Sequence, residues 1–239
     1  MAGPNVTVNG IDLTLLANFT HQVINPLNGV AGTLDNIIDG TIGNDRREQR
    51  TKAARGQLEN VITLIRNLAY LASDKYDTSQ SVNRKIILPQ VIIEAAMFYQ
   101  EEGKSKKISI DLINRADQNA IVGHQETIKQ VLMNLFDNAI KYSRFGSRVE
   151  IKQWIQSSSG DAIVTVTNTP NSIVSQEIID KMFELGYRGG NARAVVASGT
   201  GLGLYICRYL IEQRHGGTIT AQADKGNLMF TLKIPGGAS

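Results

Sequence analysis

The hydrophobic pattern of this 239-residue chain changes its period once, near residue 80. Before that point, apolar residues recur every three or four positions, which is the spacing of one buried stripe on a helix. After it, helical stretches alternate with stretches of period two, which are typical of strands. The pattern therefore predicts an α-helical segment followed by an α+β domain in which helices cover one face of a mixed sheet.

The first helical stripe contains Leu16, Phe19, Val23, Val30, Leu34 and Ile37, and is widened by Ile24, Leu27 and Ile38. A second run keeps a heptad spacing through Ala54, Leu58, Val61, Ile65, Leu68 and Ala72. Between the two runs, "GTIGNDRREQR" (40–50) breaks the pattern with glycines and an Asn-Asp pair, which indicates a loop. Two helices of about 30 residues cannot bury such wide stripes against each other alone. We therefore expect a helical hairpin over 1–76 that forms a four-helix bundle as a homodimer.

The segment after the hairpin sets the remaining boundaries. "DTSQSVN" (77–83) is polar and aperiodic and indicates a linker. Residues 84–239 then form the α+β domain, which we expect to be a two-layer sandwich. "RVEIKQWIQ" and "DAIVTVTN" predict a strand pair joined by "SSSG", and "GTITAQADKGNLMFTLKIP" predicts a hairpin with Lys225 and Gly226 at its turn.

Composition excludes several classes of function. The net charge of +3 is too small and too evenly spread to indicate nucleic-acid binding. Cys207 is the single cysteine, so the chain has neither an intrachain disulfide nor a cysteine-based zinc cluster. No apolar run approaches the roughly 20 residues that cross a bilayer, and the first residues do not resemble a signal peptide. We expect a cytoplasmic setting, no membrane segment within this chain and no nucleic-acid partner.

His21 lies within "FTHQVINPLNGV" (19–30), in the first predicted helix. At about 100° per residue it lies roughly 200° from both Phe19 and Val23, so it should face solvent rather than the core. A metal site would need a second ligand at helical spacing, and Asn25 is a poor ligand for zinc. An exposed neutral imidazole can act as a nucleophile. Pro26 should kink the helix one turn beyond it.

Two further stretches carry polar patterns suited to phosphates. In "SGTGLGLYI" (198–206), alternating glycines precede an apolar helix and would let the backbone approach a phosphate closely. In "NLFDNAIKY", Asn134, Asn138 and Lys141 fall on one helical face, where two amides and an amine would hold magnesium and phosphate oxygens. A tight turn packed on a sheet would also explain the glycines, and a solvated helix face would explain the polar residues.

Taken together, these motifs from about residue 11 to 236 resemble the catalytic core of two-component sensor histidine kinases. "FTHQVINPLNGV" resembles the H box, "NLFDNAIKY" the N box, "FELGYRG" (183–189) the F box and "GTGLGL" the second glycine box, in the family's order. The resemblance implies a dimerisation and phosphotransfer hairpin followed by an ATP-binding domain of the Bergerat, or GHKL, type. It implies a kinase that uses ATP and Mg²⁺ and passes a phosphoryl group to an aspartate on a response-regulator receiver domain.

The resemblance also implies residue roles. His21 would accept the phosphoryl group, Asn25 would orient a water that removes phosphate from the regulator, and Asn168 would face the adenine. Residues from about 187 to 200 would form a mobile lid. The other expected nucleotide-binding residues are Asn134 and Asn138 (which would also hold magnesium, Asn138 foremost), Lys141, Tyr142, Gly199, Thr200, Gly201, Leu202 and Gly203.

The chain departs from the family pattern at two places. Gln22 stands where an acidic residue usually acts as general base, and losing such a base costs on the order of 10²–10⁴ in rate. In the first glycine box, Asn168, Pro170 and Ser172 replace an aspartate and glycines. Asn168 still accepts a hydrogen bond, but without charge assistance. We expect Gln22 to weaken kinase activity, whereas the altered glycine box indicates either a tolerated variant or a weakened or modified nucleotide pocket.

Two other functions remain open on the sequence. One is a phosphatase-biased member or a pseudokinase that uses its dimeric bundle as a binding module. The other is a Bergerat ATPase without a phosphohistidine, for which Asp137 would be the available acid in the N box.

Overall fold

A computed structural model of the protein describes residues 7–8, 11–72, 84–189 and 201–236, and only the backbone of 7–8, 11–18, 59–60 and 70–72. The chain separates into two compact units, Met1–Tyr76 and Asp77–Ser239. The predicted linker, 77–83, lies outside the described residues. Within the described residues, no helix combines the length and the apolar character that a membrane crossing requires.

The first unit is a helical hairpin. Strands β1 (Thr7–Val8) and β2 (Ile11–Asp12) pair antiparallel, and helices α1 (Leu13–Ile38) and α2 (Asn44–Ala72) follow. The second helix begins inside the segment that we expected to be a loop, so the connection is short. Asp45 lies in the first turn of α2, where a negative charge interacts favourably with the helix dipole.

The apolar stripes of the hairpin are only partly covered. Phe19, Ala54, Val61 and Leu64 are buried, together with the polar Asn67. Within a single hairpin, Leu58 and Ile65 of the predicted heptad run of α2 remain 41% and 50% exposed. One partner helix covers one side of each stripe and leaves the other side in solvent. The exposed apolar stripes comprise Leu58, Ile62 and Ile65 of α2, and Ile24, Leu27, Leu34 and Ile38 of α1.

The second unit contains a five-stranded mixed sheet of order β4-β6-β7-β9-β8, in which β4 and β6 are parallel and the other pairs antiparallel. A separate antiparallel pair joins β3 and β5. The strands are β3 (Arg84–Ile87), β4 (Ser109–Leu112), β5 (Ala120–Gly123), β6 (Arg148–Ile155), β7 (Ala162–Asn168), β8 (Thr218–Asp224) and β9 (Asn227–Ile234). The helices are α3 (Leu88–Met97), α4 (Gln100–Ser105), α5 (Gln125–Tyr142), α6 (Gln176–Lys181) and α7 (Gly203–Tyr209).

Most predicted elements of this unit are present. The β6–β7 pair and the β8–β9 hairpin form as expected, and Lys225 and Gly226 turn the hairpin with φ of 47° and 82°. The run "LPQVIIEAAMFYQEEG", which the sequence predicts to be one helix, forms two helices, α3 and α4. The helix after the glycines ends in a π-helical turn, Leu210–Arg214. The combination of a helical hairpin and an α+β domain confirms the predicted fold class.

The core of the second unit lies between α5 and the sheet. Helix α5 buries 11 of its 18 residues, including Leu135 and Phe136 at 0% exposure. β7, at the centre of the sheet, is buried along nearly its whole length. Because the apolar side of α5 is held against this core, its remaining side, with Asn138, Lys141 and Tyr142 half-buried, faces the candidate site.

Candidate nucleotide site and phosphoacceptor histidine

The imidazole of His21 is exposed on α1, as the helical phase predicts. Phe19 is buried at 9% exposure and Val23 is half-buried, so they occupy the opposite side of the helix. The helix continues through Pro26 to Ile38, which holds the imidazole on a continuous helical surface.

The side chain of Gln22 is turned into the hairpin. Its Oε1 is buried and accepts no hydrogen bond within the described part of the chain. A buried carbonyl oxygen without a donor costs roughly 1–3 kcal/mol. Gln22 thus offers His21 neither a basic group nor a solvent-facing acceptor, whereas Asn25 is exposed one turn further along.

Asn134 is buried rather than solvated. At 3% exposure, its Oδ1 accepts a hydrogen bond from Gln130 Nε2 over 3.2 Å, and its Nδ2 donates to the Gly203 carbonyl over 3.3 Å. One end of the amide is therefore bonded within α5, and the other joins α5 to the start of α7. The open alternative of a solvated helix face is wrong for this residue.

Asn138 lies one turn further along α5 and is half-buried. Its amide nitrogen would be 3.9 Å from a Cβ placed on Gly203, and Asn134 Cγ would be at the same distance. Its side chain makes no hydrogen bond to the described residues, so both ends of its amide are available to a ligand.

Lys141 forms an ion pair with Asp137 of the preceding turn. Lys141 Nζ lies 2.6 Å from Asp137 Oδ2, and the two side chains are 21% and 22% exposed. Burial raises the pKa of Asp137, and the Lys141 ammonium opposes that rise. The positive charge expected to meet phosphate is thus held in place by a neighbouring carboxylate.

Gly201 brings the second glycine box against the F box. Its φ is 68°, and a Cβ there would lie 2.6 Å from the carbonyl carbon of Gly186 and 2.7 Å from the oxygen of Tyr187. Glycine is thus required both by the left-handed backbone and by the close approach. Leu202 is buried at 2% exposure, so its side chain packs in the core. Gly199, Thr200 and the expected lid from 190 lie outside the described residues.

The variant first glycine box lies against the end of α5. Asn168, the last residue of β7, donates from Nδ2 to Ser143 Oγ over 2.9 Å. The Arg144 N–H donates to the Thr169 carbonyl over 2.8 Å, and the Asn171 N–H donates to the Tyr142 carbonyl over 2.9 Å. Proline is tolerated at position 170 because these hydrogen bonds are made by Thr169 and Asn171, and none of them needs the N–H that Pro170 lacks.

The donor set suits magnesium only in company with phosphates. Within the described ranges there is no cluster of three or more His, Cys, Asp or Glu side chains that would hold a metal alone. Asn138 offers a neutral oxygen that can bind a hard cation, and Lys141 offers a positive charge that can meet phosphate oxygens. Such a site binds magnesium when the phosphates supply the negative charge. These residues fit a magnesium–nucleotide complex.

A histidine pair near β5 was not predicted as a contact. The His124 N–H donates to His215 Nε2 over 3.3 Å, and His215 Nδ1 is 3.3 Å from the Leu210 carbonyl. Burial lowers the pKa of His215, and the neighbouring His124 lowers it further. The neutral ring with its proton on Nδ1 satisfies both bonds, so the pair stabilises the fold.

The sequence and structure match known proteins. Residues 123–238 match the family described as histidine kinase-, DNA gyrase B- and HSP90-like ATPases. The chain is 29% identical over 226 residues to the sensor protein KdpD of Clostridium acetobutylicum, covering 92% of this chain and 24% of KdpD. It is 27% identical over 236 residues to the sensor protein DltS of Streptococcus agalactiae, covering 98% of this chain and 57% of DltS.

Solved structures show the same fold. The catalytic domain of the histidine kinase ThkA is 26% identical with a TM-score of 0.55, over 64% of this chain and 95% of that domain. ThkA in complex with the response regulator TrrA gives a TM-score of 0.65 at 20% identity, over 93% of this chain and 61% of that one. By its ATPase-type domain and by its relatives, this chain is similar to the catalytic cores of two-component sensor histidine kinases.

Proposed function

We propose that the chain is an ATP-dependent protein-histidine autokinase in which His21 receives the γ-phosphoryl group. The observation that carries the proposal is the exposed imidazole of His21 in a chain whose other unit has the ATPase-type fold. A nitrogen of the imidazole forms a bond to the γ-phosphorus, the bond to the β,γ-bridging oxygen breaks, and ADP leaves with the electron pair. The proton of the imidazole passes to solvent.

In this proposal the residues of the second unit position the nucleotide. Asn138 would hold magnesium, which when bound neutralises charge on the phosphate oxygens. Lys141 brings a positive charge to the phosphates while Asp137 fixes the position of its ammonium. Asn134 acts through Gly203, because its Nδ2 holds the Gly203 carbonyl against α5 while Gln130 fixes the other end of the amide. The main contributions are positioning and charge neutralisation.

We also propose that the phosphoryl group passes to an aspartate on a response-regulator receiver domain. ThkA, which shares the fold, has been solved in complex with such a regulator. The chain spans about a quarter of KdpD and just over half of DltS.

The orientation of Gln22 favours a second candidate, a phosphatase-biased regulator. Its amide cannot accept a proton, and its oxygen is turned away from the solvent that bathes His21. Asn25 is exposed four residues beyond His21 and would be able to orient a water. A core of this kind would remove phosphate from its regulator faster than it phosphorylates itself.

Incubation with labelled ATP separates these functions. We expect label on the protein that is acid-labile and base-stable, and we expect His21→Ala to lose it while keeping nearly unchanged ATP affinity. Free phosphate without labelled protein would indicate an ATPase, and the absence of both would indicate a binding module. Label retained in His21→Ala would move the acceptor elsewhere, with His124 and His215 as the remaining histidines.

A further inference from the structure

Helix α5 and the helix that follows the second glycine box lie side by side and run antiparallel, since residue numbers fall along α5 as they rise along α7 and the π-helical turn. Three hydrogen bonds join them, starting at the candidate site: Asn134 to the Gly203 carbonyl over 3.3 Å, Cys207 to the Val131 carbonyl over 3.6 Å, and the His124 N–H to His215 Nε2 over 3.3 Å. We call these three bonds the α5–α7 contact. The expected nucleotide-binding residues lie at one end of this contact, and His215 lies at the other.

His215 closes its end of the contact only as a neutral ring with the proton on Nδ1. The backbone N–H of His124 can only donate, and the Leu210 carbonyl, 3.3 Å from Nδ1, can only accept. These two partners fix the tautomer, because Nε2 must keep a lone pair and Nδ1 must carry the proton. The ring also lies against β5, where a Cβ on Gly123 would be 3.0 Å from its Cδ2 and Nε2. His215 thus joins the π-helical turn to β5 and to the N-cap residue of α5.

Protonation of His215 breaks its bond to α5. An imidazolium has a hydrogen on both ring nitrogens, so Nε2 would point a donor at the His124 N–H. The His124 ring faces the His215 ring, with their centroids 5.8 Å apart. The surrounding elements also carry charges: Arg84 and Lys85 in β3, Glu126 in the first turn of α5, and Glu212 and Arg214 in the π-helical turn. Burial and His124 lower the pKa of His215, the Leu210 carbonyl opposes them, and none of these five charges acts on it.

We propose that His215 is a positioning residue for nucleotide binding, and that its protonation weakens this binding by opening the far end of the α5–α7 contact. The inference rests on the proposed function. With the neutral ring in place, α7 is held along α5 and the Gly203 backbone stays where Asn134 fixes it, whereas the charged ring releases the π-helical turn. Because burial lowers the pKa of His215, the ring is neutral at pH 7, and nucleotide affinity should fall as the pH drops below about 6.5.

The first test measures the MgATP affinity of the full chain by calorimetry between about pH 7.5 and pH 5.0, for the wild type, His215→Gln and His124→Ala. Glutamine offers an oxygen acceptor that does not titrate, so the His215→Gln curve contains the protonation of ATP itself but not that of His215. We expect the wild type to lose about three- to tenfold in affinity relative to His215→Gln over this range, as one neutral hydrogen bond allows. His124→Ala keeps the backbone N–H and should show the same relative loss.

Urea unfolding at each pH checks that every variant is folded. His215→Asn, which also carries an amide oxygen, takes the place of His215→Gln if that variant does not fold. An unchanged affinity ratio between the wild type and the amide variant would overturn the inference. A flat ratio in His124→Ala would also overturn it, because the His124 ring would then be the group that titrates.

The second test counts the protons released when MgATP binds at about pH 6, from binding enthalpies in two buffers of different ionisation enthalpy. Because binding favours the neutral ring, the wild type should release more protons than His215→Gln. A residue that only stabilises the fold would change the unfolding curves and leave the proton release equal in the two proteins, which would contradict the inference. A wild type that binds no MgATP at pH 7.5 would refute the proposed function itself.

Discussion

At the residue scale, the two asparagines of α5 look equivalent in sequence but differ in the structure. Asn134 joins Gln130 to the Gly203 carbonyl with both ends of its amide, whereas the Asn138 side chain has no hydrogen bond within the described residues. An amide with both ends engaged contributes to stability, whereas the amide of Asn138, near Gly203 and without a hydrogen bond to the described residues, is available to a ligand. Replacing Asn138 by alanine should therefore affect ligand binding, and replacing Asn134 by alanine should affect stability.

We expect Asn138→Ala to abolish magnesium-dependent nucleotide binding and to leave the free energy of unfolding within about 0.5 kcal/mol of wild type. Asn134→Ala should instead lower that free energy by about 1–3 kcal/mol, because it leaves buried polar partners unpaired. Calorimetric titration with and without magnesium, alongside urea unfolding without nucleotide, measures both quantities. Equal effects of the two substitutions on binding would contradict the assignment.

His215 gives the fold a dependence on pH. Its folded pKa is lowered from 6.5, chiefly by burial, so the unfolded chain binds the proton more readily than the folded one. The stability that His215 contributes is complete above about pH 6.5 and is lost as the pH falls from there towards the folded pKa. We expect the wild type to lose stability over this range relative to His215→Gln, measured by unfolding at several pH values. Parallel curves would show that His215 does not titrate on unfolding.

At the scale of elements, Gly201 joins two segments that are separate in sequence. Gly201→Ala adds a Cβ about 2.6–2.7 Å from the backbone of Gly186 and Tyr187, in a left-handed conformation. The matched control is Gly146→Ala, which has φ of 76° but nothing within 4 Å of the added Cβ. Because alanine is strained in this left-handed conformation, both substitutions should lower the free energy of unfolding by about 1–2 kcal/mol. Gly201→Ala should lower it by at least about 1 kcal/mol more, because its Cβ clashes with the neighbouring backbone. Thermal unfolding of the two variants makes the comparison; equal losses would mean that the F box segment moves aside freely.

The elements also show what sequence could and could not predict. The β8–β9 hairpin was predictable because Lys225-Gly226 allows the tight turn between two alternating runs. The pairing of β3 with β5 was not predictable, because each strand has only four residues and 32 residues separate them in sequence. The contact of His124 with His215 was not predictable for the same reason, because the two residues are 91 positions apart in sequence. The motifs indicate which residues belong to the candidate site, but spacing does not reveal the ion pair of Asp137 with Lys141 or the hydrogen bond of Asn168 with Ser143.

At the scale of the whole molecule, the exposed apolar stripes of the hairpin predict self-association. Leu58, Ile62 and Ile65 are 41–50% exposed on one side of α2, and α1 adds a matching stripe. Burial of such side chains is worth about 25 cal/mol per Å² of apolar surface, which favours a four-helix bundle over isolated hairpins.

We therefore expect sedimentation to show a dimer at micromolar concentration and Ile62→Lys to shift it towards monomer, because the substitution places a charge in the apolar stripe. Ala53→Lys adds the same charge at an exposed position of α2 near the turn and should leave the dimer intact. A well-folded wild-type monomer at that concentration would contradict the prediction, as would equal effects of the two lysines.

The contact of Gly201 with Gly186 and Tyr187 holds together two segments that are separate in sequence. The entropy lost by holding two points of a chain together grows only with the logarithm of the number of residues between them, so doubling that number costs about 0.6 kcal/mol. Insertions between residues 187 and 201 should therefore lower the stability of the domain only slightly, as long as this contact is kept.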